Sequence, residues 1–188
     1  TLVPKDWKGQ DVYLHFGAVD YEATVWVNGH LAGHNQGGYV PFRLNVTPYI
    51  DFDDDNTIVV RVEDQARFDQ PRGKQSARDE PWACWYTPVS GIWQTVWMEA
   101  LHPLHLKDIH LIPDIDKETL TVGYTLNRVD DGLSLEVIAE YEGQVVSSAV
   151  TPIAKSYVRW SNIEPVDRGE VVFSIPRPHL WSPEHPHL

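Results

Sequence analysis

Trp26 and Asn28, in the segment V-W-V-N-G-H (Val25–His30), carry side chains suited to a polyhydroxylated ring. The indole offers a flat apolar face, and the amide offers two donors and an acceptor. Thr24, Trp26 and Asn28 alternate with Val25, Val27 and Gly29, and a period of two means a strand with one set on each face. Asn28-Gly29 suits a two-residue hairpin turn, because both residues tolerate positive φ. Leu31 and Ala32 would then start the return strand. Trp26 and Asn28 share a face at one end of a sheet. The same residues allow a plainer reading, with Trp26 in the core and Asn28 only forming the turn.

A second group lies in the long polar stretch from Asp64 to Pro88. Lys74 and Gln75 follow a glycine there, and either reach a ligand hydroxyl or tie the loop to a strand. Trp82, Trp85 and Tyr86 could stack on a ring. A loop this long with three large aromatics is expected to be ordered and functional. Trp93 and Trp97 sit four apart on an expected strand, hence on one face, as core or interdomain packing.

Composition narrows the partners. The 188 residues are 42% hydrophobic, enough for one large sandwich or two small domains. The net charge of −12 argues against nucleic acid or an anionic membrane surface. Eight Trp and eight Tyr favour a neutral ligand that stacks. Cys84 is the sole cysteine, so no internal disulfide can form. No apolar run approaches the ~20 residues of a membrane-spanning helix. The chain opens at Thr1 without a visible leader, which leads us to expect a piece of something longer.

The elements that must position these side chains are strands. Apolar residues recur every second position, and turn residues interrupt at short intervals, so the fold class is all-β, built as sandwiches. Strands are expected at 11–18, 21–28, 41–47, 57–63 and 91–100, with His34–Tyr39 as a polar loop. That loop has no phosphate-binding spacing, so no nucleotide cofactor is expected. Asp51–Asn56 reads as a solvated turn without the pattern of a calcium loop. His102-Pro103 marks a boundary, giving domains at 1–102 and 103–188. The second carries strands at 104–113, 119–127, 133–141, 145–151 and 171–175, close to a small immunoglobulin-like count. Asp130-Asp131-Gly132 and Glu142-Gly143 are expected hairpin turns. The proline-rich end, Pro176–Leu188, cannot be a central strand. His185 and His187 lack further ligands at a metal-binding spacing, so they read as an exposed tail. Asn45-Val46-Thr47 matches a glycosylation pattern within a strand and reads as chance.

The run V-Y-L-H-F-G-A-V-D-Y-E-A-T-V-W-V-N-G, continued by G-G-Y-V-P-F, P-R-G-K-Q and W-Y-T-P-V-S-G-I-W-Q-T-V-W-M-E, resembles the sugar-binding jelly roll of glycoside hydrolase family 2. The second half, ending in L-W-S-P, resembles that family's immunoglobulin-like sandwich. The resemblance implies a galactose-binding-like jelly roll, its first strands lying upstream, followed by a connector into a catalytic barrel outside this chain. It implies a β-glycoside as substrate, the protein's own barrel as partner, and a possible homo-oligomer. It also implies a substrate-subsite role for Asn28, from the jelly roll towards the sugar. A family acidic residue near the S-G-I segment is replaced here by Cys84-Trp85-Tyr86, which weakens any assignment to galactose alone.

Retaining glycoside hydrolysis needs two carboxyl groups about 5 Å apart. Asp79 and Glu80 are neighbours on an extended chain and face opposite ways. Asp20 and Glu22 share a face but open to water. No catalytic residue and no metal ligand is therefore expected in this chain. The subsite candidates are Trp26, Asn28, Lys74, Gln75, Trp85 and Tyr86. A second function class is a stand-alone carbohydrate-binding module with a platform of Trp26, Trp82 and Trp85.

Overall fold

The computed structural model describes residues 1–65, 69–128, 130–153 and 168–187. They form two compact units, Thr1–Pro103 and Leu104–Leu188. Both are built from antiparallel strands.

In the first unit β1 (Asp11–Phe16) and β3 (Glu22–Val27) are the central strands of two three-stranded sheets. Each strictly alternates half-buried and buried residues along its length. Val12, Leu14 and Phe16 of β1 meet Ala23, Val25 and Val27 of β3, with Val19 and Val46, in one core between the sheets. Burial of that many branched side chains, at about 1.5–3 kcal/mol each, is what holds the sandwich together. The strand β1 is flanked by β5 (Phe42–Asn45) and β8 (Val96–Leu101). Likewise β3 is flanked by β4 (His30–Gln36) and β6 (Ile58–Glu63). Two short strands, β2 (Val19–Asp20) and β7 (Gly91–Ile92), pair beside them.

Three expectations change. The return strand begins at His30, because Val27 pairs directly with His30 across the Asn28-Gly29 turn. Both turn residues have positive φ, 50° and 81°, as a two-residue hairpin turn of this hand requires. That strand runs on to Gln36, since Thr24, Ala23 and Glu22 supply partners for His34, Asn35 and Gln36. The span 91–100 is two strands, paired to β2 and to β1 in turn.

In the second unit β9 (Leu106–Asp114), β10 (Thr119–Leu126) and β13 (Arg168–Ser174) form one sheet with β10 in the middle. The hairpin β11 (Ser134–Tyr141) and β12 (Gln144–Pro152) forms another. Tyr124, Leu126 and Val171 pack against Leu135 and Ala149 between them. Glu142-Gly143 is the expected hairpin turn, with Tyr141 opposite Gln144. Asp130-Asp131-Gly132 is not a hairpin: the strands on either side of it belong to different sheets. Among the described residues no strand follows Ser174. The proline-rich end is no loose tail. His179 stacks on Tyr141 at 3.9 Å, and His187 Nδ1 lies 3.0 Å from the Tyr141 hydroxyl.

Candidate functional site

The six candidate residues fall into two groups. Trp26 and Asn28 stand at the turn end of β3, whereas Asp20 precedes its other end. Six extended residues place those ends on the order of 20 Å apart.

Trp26 is not core. Its neighbours Val25 and Val27 point inward, and it lies half-buried on the outer face between Leu31 and Val59. Asn28 braces the turn. Its Nδ2 donates to the Tyr49 carbonyl and to Asn56 Oδ1, both at 2.8 Å, and its Oδ1 accepts the Thr57 N–H at 2.8 Å. Buried Asn56 passes the network on, accepting the Asp51 N–H at 2.8 Å and donating to the Asp51 carbonyl at 2.7 Å. Both amide hydrogens of Asn28 are spent inside the unit. One Oδ1 lone pair remains for an outside group, so the amide cannot donate to a sugar hydroxyl without leaving this network.

The second group does come together. Gln75 is a bridge: its Nε2 donates to Asp20 Oδ2 at 2.8 Å, and its Oε1 accepts the Val89 N–H at 2.7 Å. The loop–strand reading thus describes Gln75. Tyr86 lies beside Gln75 in a one-residue bridge, its N–H donating to the Lys74 carbonyl at 2.7 Å and its carbonyl accepting the Ser76 N–H at 2.8 Å. Lys74 is exposed, its ammonium 5.9 Å from the centre of the Tyr86 ring. Trp82 and Trp85 close a tight turn, with Ala83 at a positive φ of 50°. The Arg78 guanidinium covers one face of Trp82 at 4.4 Å. Trp85 is 38% exposed and Tyr86 64%. A rim of Lys74, Trp85 and Tyr86 therefore presents an ammonium and two ring systems to the outside.

The frame beneath that rim consists of residues whose roles the sequence did not reveal. Asp20 is buried, with its carboxylate against Gly38, where a Cβ would collide with it. The Trp93 indole N–H donates to the Gly38 carbonyl at 2.8 Å, and Tyr39 meets Trp93 edge-on at 5.9 Å. Trp93 and Trp97 are both about half exposed, so neither is core. Beside this frame, buried Arg72 pairs with Asp64 at 3.4 Å, and Asp64 also accepts from Gln70 at 2.6 Å and Ser90 at 3.3 Å. Asp20 carries no local signal of this role, because its partners lie 18 and 55 residues away. Among the described residues no group of three or more His, Cys, Asp or Glu is placed to hold a metal ion.

Residues 1–99 match the family model for the glycosyl hydrolase 2 galactose-binding domain-like fold, and residues 104–188 match the model for glycosyl hydrolases family 2. The chain belongs to glycosyl hydrolase family 2. It is 30% identical to a β-galactosidase of Thermoanaerobacter pseudethanolicus, covering 99% of this chain and 24% of that protein. It is 28% identical to a β-glucuronidase of Formosa agariphila, covering 99% of this chain and 20% of that protein. The solved β-glucuronidase of Bacteroides uniformis shares the fold, with a TM-score of 0.73 at 24% identity over all of this chain and 22% of its own. The chain thus spans about a quarter or less of the length of these relatives, and it matches their non-catalytic N-terminal portion. The galactose-binding-like and immunoglobulin-like pair of family 2 accounts for its two all-β units.

Proposed function

We propose that this chain is the substrate-side portion of a family 2 exo-β-glycosidase of the β-galactosidase kind. In this reading the protein hydrolyses O-glycosidic bonds with two glutamates on a barrel beyond this chain. The first unit packs on that barrel and borders its pocket. The second unit spaces and connects. The observation that carries the reading is the rim of Lys74, Trp85 and Tyr86, held out to solvent on the half-buried bridge from Gln75 to the buried Asp20. Clustered exposed aromatics mark surfaces that another domain covers or a ligand meets. Here they do both: Trp85 stacks on the apolar face of a sugar ring, and Lys74 donates to a hydroxyl. Asn28 serves the pocket by holding the hairpin in place.

The alternative, a stand-alone binding module, loses its platform, since Trp26 sits at the far end of β3 from the frame that carries Trp82 and Trp85. Reading the coding DNA past Leu188 tests the proposal. Several hundred further codons with alternating strand and helix periodicity and two well-spaced glutamates support it. A stop codon within a few residues sinks it.

A further inference from the structure

A hollow of about 590 Å³ lies next to the rim, lined by Ala77, Arg78, Asp79, Glu80, Pro81 and Trp82. That volume is in the range of small-molecule sites. Its place relative to the rim is fixed at both ends. At one end, buried Ser76 donates its N–H to the Tyr86 carbonyl at 2.8 Å, and its carbonyl accepts from the buried Arg72 guanidinium at 3.3 Å. The Ser76 Oγ in turn accepts the Arg78 N–H at 3.0 Å. At the other end, the Trp85 N–H donates to the Trp82 carbonyl at 2.9 Å, and the two tryptophans face each other in a one-residue antiparallel bridge. Residues paired in this way share a face, with Cβ atoms about 5 Å apart. That separation is close to the step from one pyranose to the next along a glycan.

The groups in the hollow suit a sugar residue. The Arg78 guanidinium lies 4.4 Å from the centre of the Trp82 ring. A guanidinium lying over a ring keeps its N–H donors, which project in its own plane, for another partner. Among the described residues no ion pair engages Arg78, Asp79 or Glu80, and all three are exposed. Residues 77–80 bend rather than extend, so Asp79 and Glu80, which an extended chain would turn opposite ways, both line this hollow. The guanidinium fork matches two neighbouring hydroxyls, and the carboxylates accept from the hydroxyls that remain. Two carboxylates disfavour an anionic sugar. A bare phenyl or alkyl group would leave all three charged groups without a partner.

We infer that this hollow binds the leaving-group sugar, with Arg78 as a specificity-determining residue, so that the substrates are neutral β-linked oligosaccharides rather than simple aryl or alkyl glycosides. The inference rests on the exo-glycosidase reading above. The terminal sugar stacks on Trp85, and the next sugar lies against Trp82 and Arg78.

The test is steady-state kinetics of the full-length protein on p-nitrophenyl β-D-galactoside and on the best of β-1,3-, β-1,4- and β-1,6-galactobiose. The readout is the ratio of kcat/KM for the disaccharide to kcat/KM for the aryl galactoside. In Arg78→Met that ratio should fall about tenfold, chiefly through a higher KM for the disaccharide. Arg78→Lys keeps the charge without the fork and should stay within about threefold of Arg78→Met. Trp82→Ala should lower the ratio as well, because it removes the platform under the guanidinium. A merely structural role for Arg78 would slow both substrates alike and leave the ratio where it was, which overturns the inference. Hydrolysis of the aryl galactoside with none of the three disaccharides overturns it too, and leaves the exo-glycosidase reading standing. No hydrolysis of any of the four sinks that reading and this inference with it.

Discussion

Replacing Gly38 by alanine should unlock the frame under the rim. The added methyl would collide with Asp20 Oδ1 and lie 2.8 Å from Asp20 Cγ. Asp20 has nowhere to retreat: it is 5% exposed, and its other oxygen is held by Gln75 at 2.8 Å. If the methyl is forced in, the cost is that of overpacking, about 1–3 kcal/mol. If the carboxylate swings away instead, the cost is a hydrogen bond to a charged group, about 1.5–3 kcal/mol. These are alternative routes for one clash, so the expected loss is that of the cheaper one, about 1–3 kcal/mol, rather than their sum. For a unit of 103 residues that is a fall in Tm of about 5–20 °C. Differential scanning calorimetry of the full chain reads it. The decisive comparison is a double-mutant cycle. In an Asp20→Ala background the methyl has room, and Gly38→Ala should cost less than about 1 kcal/mol. Asp20→Asn keeps the shape and should give no such relief. Simple additivity of Gly38→Ala and Asp20→Ala would refute the argument that this clash sets the need for glycine.

Three more outcomes are expected. Asn28→Gly keeps the positive φ at no steric cost but removes three side-chain hydrogen bonds, so the urea midpoint should fall by an amount worth about 2 kcal/mol; an unchanged midpoint would mean water replaces the network. Arg72→Met leaves the buried Asp64 carboxylate without its cation and should cost about 3–5 kcal/mol, more than half of it recovered in Arg72→Met with Asp64→Leu, as read by the same unfolding curves. In the second unit, side-chain and backbone hydrogen bonds from Lys117 hold the Asp114 carboxyl below its ordinary value. Its small stabilisation is present above the unfolded carboxylate pKa and fades as pH falls through the folded one. Lys117→Met should raise the Asp114 titration midpoint measured by NMR, and an unmoved midpoint would discard that cause.

Much of the fold is local information. The alternation in β1 and β3 announced which residues would be buried, because a strand at the centre of a sandwich must show one face to the core. Asn28-Gly29 set its own register through two positive φ values. Sheet membership is not local. Asp130–Gly132 has the composition of a hairpin turn, yet the chain uses it to cross between sheets. The alternation in 91–100 is continuous although the ladder breaks between β7 and β8, where the Gly17 N–H bonds to the Thr95 carbonyl and the Trp93 N–H to the Ala18 carbonyl. Trp26 and Gln75 gave no hint that β3 would separate them, since strand length decides that. Lys74, Gln75 and Tyr86 were brought together by loop bridges and by Asp20, whose hydrogen bond spans 55 residues.

The most direct test of the account is the kinetics of the full-length protein and its Trp85→Ala variant on p-nitrophenyl β-D-galactoside and p-nitrophenyl β-D-glucuronide. The parent protein is expected to hydrolyse the galactoside. The Trp85→Ala variant should show a KM about tenfold higher, about 1.4 kcal/mol of lost binding, with Tm unchanged because Trp85 lies outside the core. No hydrolysis of either glycoside, or a Trp85→Ala variant with the parent's KM, would contradict it.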